Sequence, residues 1–239
     1  MNRVVALDIS FKLEGRANTI FPVILSDDNN IILIDCGYPN FLSLIEECSR
    51  KKGINLDKLT KIIITHHDYD HMGSLGDFKR KYPNIEIVSS YIEERYISGK
   101  EKSLRLRQAE FIYDTIPEEG KEKAKKFQHM LESIESITVD RIVKDKDKFN
   151  WCGGIEIIET PGHMPGHISI YLNESKTLIA GDALVIEKED LVIANPQYTL
   201  DMDKAKSSIR KLLDYDIEKI ICYHDGVYTR NIRECLMKI

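Results

Sequence analysis

His66-His67-Asp68-Tyr69-Asp70-His71 follows directly on the apolar run Ile62-Ile63-Ile64-Thr65. A buried-type strand that stops and releases three histidines and two carboxylates into one short loop has few structural uses. Such side chains repel or desolvate one another unless a cation gathers them, and a divalent metal is the usual cation. The pattern returns twice, in Thr160-Pro161-Gly162-His163 and in Cys222-Tyr223-His224-Asp225-Gly226. Of the seven histidines, only His129 lies outside these three neighbourhoods.

The rest of the composition narrows the class. At 239 residues the chain is long enough for a substantial core, and residues 1–239 are expected to form one domain. A net charge of -5 offers no general attraction to a phosphate backbone, so no nucleic-acid partner is expected. The N-terminal stretch Met1–Asp8 meets charge before a signal-length apolar region forms, and no window reaches membrane-spanning length. Five cysteines, odd in number and without a CxxC pair, are read as reduced thiols of a cytoplasmic protein rather than metal ligands. Cys36 and Cys222 are expected to be buried in or beside strands.

Short β-branched runs predict strands at 4–9, 20–25, 31–34, 62–65, 85–89, 155–159, 168–172, 177–180 and 220–223. Asp27-Asp28-Asn29-Asn30 reads as a hairpin turn. Helical spacing covers 41–51, 74–81, 202–213 and 230–237, with Asp201 placed as a cap for the third. Between about 91 and 134 the chain turns heavily charged with apolar residues at helical spacing, a helical insertion whose second part starts at Pro117. It is read as surface helices, or as a lid or homodimer contact shaping the site. The halves also echo each other: Lys61-Ile62-Ile63-Ile64-Thr65-His66 resembles Lys219-Ile220-Ile221-Cys222-Tyr223-His224, and Ile32–Gly37 resembles Leu178–Asp182. Strand ends from two halves that converge would build one site.

In this order and strand context, the residues resemble the metallo-β-lactamase-fold hydrolases, whose signature is H-x-H-x-D-H followed by a distant His, an Asp and a last His. The chain supplies His66, Asp68, Asp70 and His71, then His163, Asp182 and His224, with Asp68 where the family has its second histidine. The resemblance implies an α/β fold, a four-layered αβ/βα sandwich with the site along one edge. It implies one metal held by His66, Asp68 and His163, a second by Asp70, His71 and His224, and Asp182 bridging both. Zinc is the first expectation; the added carboxylate raises iron and manganese. A register in which His67 binds in place of Asp68 is the alternative.

The chemistry implied is hydrolysis of an ester, thioester, lactone or phosphoester of a small molecule by a metal-bridging hydroxide, with Asp70 handling the proton as the intermediate collapses. Two other classes stand beside it: a di-iron oxidoreductase of the flavodiiron type, which has a carboxylate at the position of Asp68, and a metal-bound sensor without turnover. Among the hydrolases, Asp182 speaks against a true β-lactamase, the short stretch after His224 against a glyoxalase II-like thioesterase, and Ala183-Leu184-Val185 against an acyl-homoserine-lactone lactonase. Asp35 is read as a carboxylate orienting a ligating histidine or as a strand-end turn, and His167 as a structural histidine facing away from the metals. Tyr69, Tyr198 and Tyr223 are read as fillers or substrate contacts. Lys100, Lys102, Arg105 and Arg107 are read as a solvated helix face or a greeting for an anionic substrate.

Overall fold

Nearly continuous apolar runs such as Ile31–Ile34, Ile155–Ile158 and Ile168–Leu172 make strands whose two faces are both covered. The structure, a computed structural model, describes residues 2–13 and 15–239. The chain opens with strand β1 (Arg3–Ala6), the hairpin β2 (Ile9–Leu13) and β3 (Arg16–Ile20), then β4 (Val23–Ser26), β5 (Ile31–Ile34), helix α1 (Leu42–Lys51) and β6 (Lys61–Ile63). Next come α2 (Tyr69–Met72), α3 (Leu75–Lys81), β7 (Glu86–Ser90), α4 (Tyr91–Ile97), α5 (Leu104–Ile112), α6 (Glu118–Glu132) and β8 (Arg141–Val143). The second half runs through β9 (Lys148–Phe149), β10 (Ile155–Glu159), β11 (Ile168–Leu172), β12 (Thr177–Gly181), β13 (Val185–Glu187) and β14 (Asp190–Val192). It ends with α7 (Met202–Lys211), β15 (Lys219–Cys222), β16 (Gly226–Tyr228) and α8 (Ile232–Lys238).

Two six-stranded sheets result, ordered β1-β4-β5-β6-β7-β8 and β16-β15-β12-β11-β10-β9. Alternation along each strand divides the core. Leu25, Ile32, Ile34, Ile63 and Val88 of the first sheet pack against Ile155, Ile157, Ile170, Ile179 and Ile221 of the second. Ile24, Leu33, Ile62 and Ile87 face the opposite way, onto Ile45 of α1 and Leu75 and Phe78 of α3. On the far side, Ile158, Leu178, Ala180 and Ile220 meet Ile209 of α7 and Ile232 and Leu236 of α8. The layers are therefore helix, sheet, sheet, helix, the α/β sandwich the resemblance implies. Each fully buried isoleucine or leucine in them contributes about 1.5–3 kcal/mol by leaving water.

The repeated sequences occupy equivalent places. β5 runs parallel to β6 with Leu33 opposite Ile62, and β12 runs parallel to β15 with Ile179 opposite Ile221. Parallel neighbours end at the same edge, so the loops after β5 and β6 open together, as do those after β12 and β15.

Local expectations hold where side-chain chemistry is decisive. Asp27 closes the β4–β5 turn, its Oδ1 accepting from the N–H of Asn29 (2.7 Å) and of Asn30 (2.6 Å). Asp201 caps α7 by accepting from Lys204 N–H (2.9 Å). The strand expected over 20–25 is broken at Pro22, which has no N–H to donate and whose carbonyl accepts from Leu7 N–H (2.8 Å). The strand expected over 4–9 likewise divides, its end joining the β2–β3 hairpin. In the insertion, Leu106 and Ala109 of α5 pack on Leu131 of α6, and Pro117 immediately precedes α6. Among the described residues all five cysteines are free thiols, and no helix is long and apolar enough to cross a membrane.

Candidate metal centre

Thr65 and His66 follow β6, Asp182 follows β12, and Tyr223 and His224 follow β15. His163 arrives on the loop between β10 and β11. The backbone there is special: Gly162 has φ +144°, and a Cβ on it would lie 2.4 Å from the Ala205 backbone. Only glycine lets this loop pass so close to α7.

These segments bring all seven residues singled out in the sequence to one place. One donor atom from each of His66, Asp68 and His163 lies within 4.8 Å of the others, and the same holds for Asp70, His71 and His224 and for His66, His71 and Asp182. Asp182 sits between the two outer groups: its Oδ1 is 3.4 Å from His71 Nε2, and its Oδ2 is 3.3 Å from His224 Nε2 and 3.6 Å from His163 Nε2. Asp70 Oδ2 lies 3.3 Å from His224 Nε2, and Asp68 Oδ2 lies 3.2 Å from His163 Nε2 and 3.6 Å from His66 Nε2. His224 is the most open of the set, its side chain about one-third exposed, so the centre is approached from that side.

Ring orientation is enforced from behind. Asp35, itself held at φ +58°, accepts from Thr65 N–H at Oδ1 (2.8 Å) and from the Thr65 hydroxyl at Oδ2 (2.8 Å). The same Oδ2 lies 2.9 Å from His71 Nδ1, and Thr65 Oγ1 lies 3.0 Å from His66 Nδ1. Asp35 thus orients the His71 ring and ties the end of β5 to Thr65. With the Nδ1 atoms engaged, His66 Nε2 and His71 Nε2 turn inward, and both are buried without a hydrogen-bond partner, as is Asp182 Oδ1. Buried polar atoms left unpaired cost about 1–3 kcal/mol each. Three of them aimed into one nitrogen-and-oxygen donor set fit a divalent cation.

The electrostatics make the same demand. Burial, the largest single influence, presses His71 and His224 toward the neutral form, yet Asp182 and nearby carboxylates outweigh it. The His71 pKa is held well above its usual value and that of His224 rises to about 10. Asp182 behaves in mirror image: burial pushes its pKa up, and His224 and His71 pull it well below the carboxylate range. His66 differs, pushed well below its usual range by burial and by the neighbouring charge of His71. Carboxylates that draw protons onto two histidines would draw a metal in their place.

The remaining residues divide by function. His67 points away from the centre: its backbone N–H donates to Glu93 Oε2 (2.8 Å), its Nδ1 meets the same oxygen, and its Nε2 accepts from Leu104 N–H (3.3 Å). The cluster therefore gathers Asp68 with His66 and His163 and leaves His67 outside it. His167 is a supporting histidine, its Nε2 accepting from Asp182 N–H (3.1 Å) while Nδ1 bonds Thr160 Oγ1 (2.8 Å). Burial pushes its pKa down to about 3, in keeping with a neutral ring. Tyr223 is buried against the His71 ring and donates to the Asp70 carbonyl (2.6 Å); Tyr69 packs on Tyr38 and Phe127, and Tyr198 is exposed.

Three contributors escape a sequence reading. Thr65 had a signal, as the last residue of the apolar run. Glu93 is fully buried and joins the two metal-loop neighbourhoods, accepting from His67 N–H and from Gly166 N–H (2.8 Å), but nothing local marks it. Arg105 corrects the solvated-face expectation. It reaches from α5 to Asp68, its Nε lying 3.1 and 3.0 Å from the two carboxylate oxygens and its Nη2 2.9 Å from Oδ2. The same Nη2 donates to the Tyr198 carbonyl (2.7 Å).

Known proteins resemble this chain in family and fold. The family described as the metallo-beta-lactamase superfamily matches residues 17–224. The chain is 27% identical over 238 residues to a probable metallo-hydrolase, YflN, of Bacillus subtilis strain 168, covering 93% of this chain and 86% of that one. It is 29% identical over 219 residues to the hydroxyacylglutathione hydrolase GloC of Haemophilus influenzae, covering 87% and 85%. A metallo-beta-lactamase family protein from Thermus thermophilus superposes with a TM-score of 0.75 at 22% identity, over 98% of this chain and 77% of that one, a likeness of fold.

Proposed function

The chain belongs to the metallo-beta-lactamase superfamily and is a metallo-hydrolase of it, and from that premise we propose a dinuclear centre that hydrolyses an ester or thioester of a small molecule. The observation that carries this is the convergence of seven His and Asp side chains with His66 Nε2, His71 Nε2 and Asp182 Oδ1 buried and inward-facing without a hydrogen-bond partner. His66, Asp68 and His163 would hold one divalent cation, Asp70, His71 and His224 the other, and Asp182 would touch both. Bound there, such cations would make hydroxide available near neutral pH and polarise the oxygen of the scissile bond.

The chain's own residues supply the rest. Asp70, whose Oδ2 lies 3.3 Å from His224 Nε2 on the open side, would carry a proton to the leaving group. Asp35 and Thr65 hold two imidazoles in one rotamer, so little reorganisation remains when substrate arrives. The aromatic row Phe11, Phe41, Tyr38, Tyr69, with successive ring centroids 4.9 to 5.4 Å apart, packs on the core and ends at Tyr69, the residue before Asp70 in the chain. Thioesters come first among substrates because a relative of which this chain covers 85% bears the name hydroxyacylglutathione hydrolase. The di-iron alternative rests on the carboxylate at position 68, and the identity of the metal taken up by the purified chain separates it from the hydrolase reading.

Metal analysis of the purified chain, followed by a panel of thioesters, esters, lactones and phosphodiesters, tests the proposal. Two equivalents of metal with thioester or ester turnover are expected. Asp182→Asn should weaken metal binding and cut turnover by at least about 100-fold. Full activity in that variant would remove the shared carboxylate from the mechanism.

A further inference from the structure

Asp68 differs from the other carboxylates of the centre in the company it keeps. The ion pairs of Asp70 and Asp182 among the described residues are all with histidines of the cluster. Asp68 pairs with a permanent cation, because a guanidinium does not lose its proton in proteins. Arg105 spans both Asp68 oxygens, and its Nη2 also lies 3.4 Å from His163 Nε2. It therefore engages two of the three residues that would hold a cation on the His66 side. Both partners are nearly buried, where a fork-shaped ion pair is hard to displace.

The contact is built rather than incidental. His67 accepts the Leu104 N–H at the start of α5, and the next residue of each segment makes the ion pair: His67 with Leu104, Asp68 with Arg105. His67 is in turn fixed by Glu93 and by stacking on Tyr96 at 4.1 Å between centroids. Arg105 is further anchored by the Tyr198 carbonyl and, through Nη1, by Gln108 Oε1 (3.1 Å). Two consecutive contacts thus set the insertion in register over one half of the centre.

Resting on the metal-centre reading above, we propose that Arg105 makes the two metal positions unequal. The Asp70–His71–His224 side fills first and tightly; the His66–Asp68–His163 side fills second, and only as the cation displaces the guanidinium from Asp68. The insertion then acts as a specificity element that sets how many metals the chain holds at a given concentration. No bond to carbon forms or breaks; one charge partner of Asp68 replaces another.

Zinc titration of the chelator-stripped chain by calorimetry and equilibrium dialysis reads this without any substrate. The expected wild-type result is one tight equivalent and a second at least about tenfold weaker. Arg105→Met should tighten the second equivalent by about ten- to a hundredfold and leave the first unchanged. Arg105→Gln, which removes the charge and keeps a polar head, repeats the test should the Met variant fail to fold by circular dichroism. Two equal equivalents in the wild type, or a second equivalent that is unchanged or lost in the neutral variants, would overturn the proposal while leaving a metal centre in place. Wild-type protein that takes up no zinc would overturn the metal-centre reading and this one with it.

Discussion

Thr65 shows how much of the centre depends on one hydroxyl. It donates to Asp35 Oδ2 and, with that proton committed, offers a lone pair to His66 Nδ1, so a single side chain couples the orientation of His66 to that of His71. Valine has nearly the same shape without the oxygen. Thr65→Val leaves a buried carboxylate oxygen and a ring nitrogen short of a partner, at a cost of about 1–3 kcal/mol in stability. It also frees the His66 ring, and zinc affinity should fall about tenfold, as it does when groups behind metal ligands are removed. Competition with a chromophoric chelator measures this, and unchanged affinity would reduce Thr65 to a packing residue. At this scale the sequence was legible for donor types and not for their supports. His66, Asp68, Asp70 and His71 stand out because such groups have few other uses in one loop, and His163, Asp182 and His224 join them through the family resemblance, whereas Glu93 and Arg105 are ordinary surface-type residues until the fold buries them.

Elements that place the site depend on capping side chains. Asp27 closes the β4–β5 turn through Asn29 and Asn30 and also accepts from Cys152 N–H (2.7 Å), tying the turn to the loop before β10. Partial burial pushes its pKa up, but the donated hydrogen bonds prevail and lower it from 3.8 to about 2. A carboxylate whose folded pKa is depressed contributes stability above the unfolded pKa and loses it as pH falls through the folded value. The window for Asp27 therefore runs from about pH 4 down to about pH 2, and its contribution, discounted for partial exposure, is about 1 kcal/mol. Asp27→Ala should lower stability at pH 7 by about that amount or somewhat more and flatten the acid limb of denaturant-derived stability between those pH values. An unaltered limb would assign the acid sensitivity to other carboxylates. Turns and caps of this kind were readable in advance because they are local. The break at Pro22 and the short strands β9, β13, β14 and β16 were not, since strands of two or three residues owe their existence to neighbours rather than to their own pattern.

For the molecule as a whole, the centre joins loops from both sheets, so a bound cation would stabilise the assembled state. A metal at a hundred times its dissociation constant adds about 2.7 kcal/mol to folding, and for a chain of this size its removal should lower the melting temperature by about 5–10 °C. Thermal melts with and without a chelator, then with zinc restored, check this; coincident melts would mean that the loops are held by protein contacts alone. By itself the sequence determined most strands and helices and the three histidine-bearing loops, since apolar strand runs and dense His/Asp loops answer to local physical constraints, while the layered sandwich and the seven-residue set were implied by the family resemblance. The tertiary structure alone decided that Asp68 is held by Arg105, that His67 turns outward to Glu93, and that the insertion sits over one half of the centre. Those contacts join residues that neither periodicity nor spacing relates, and burial and charge pairing select them only after the two sheets have packed.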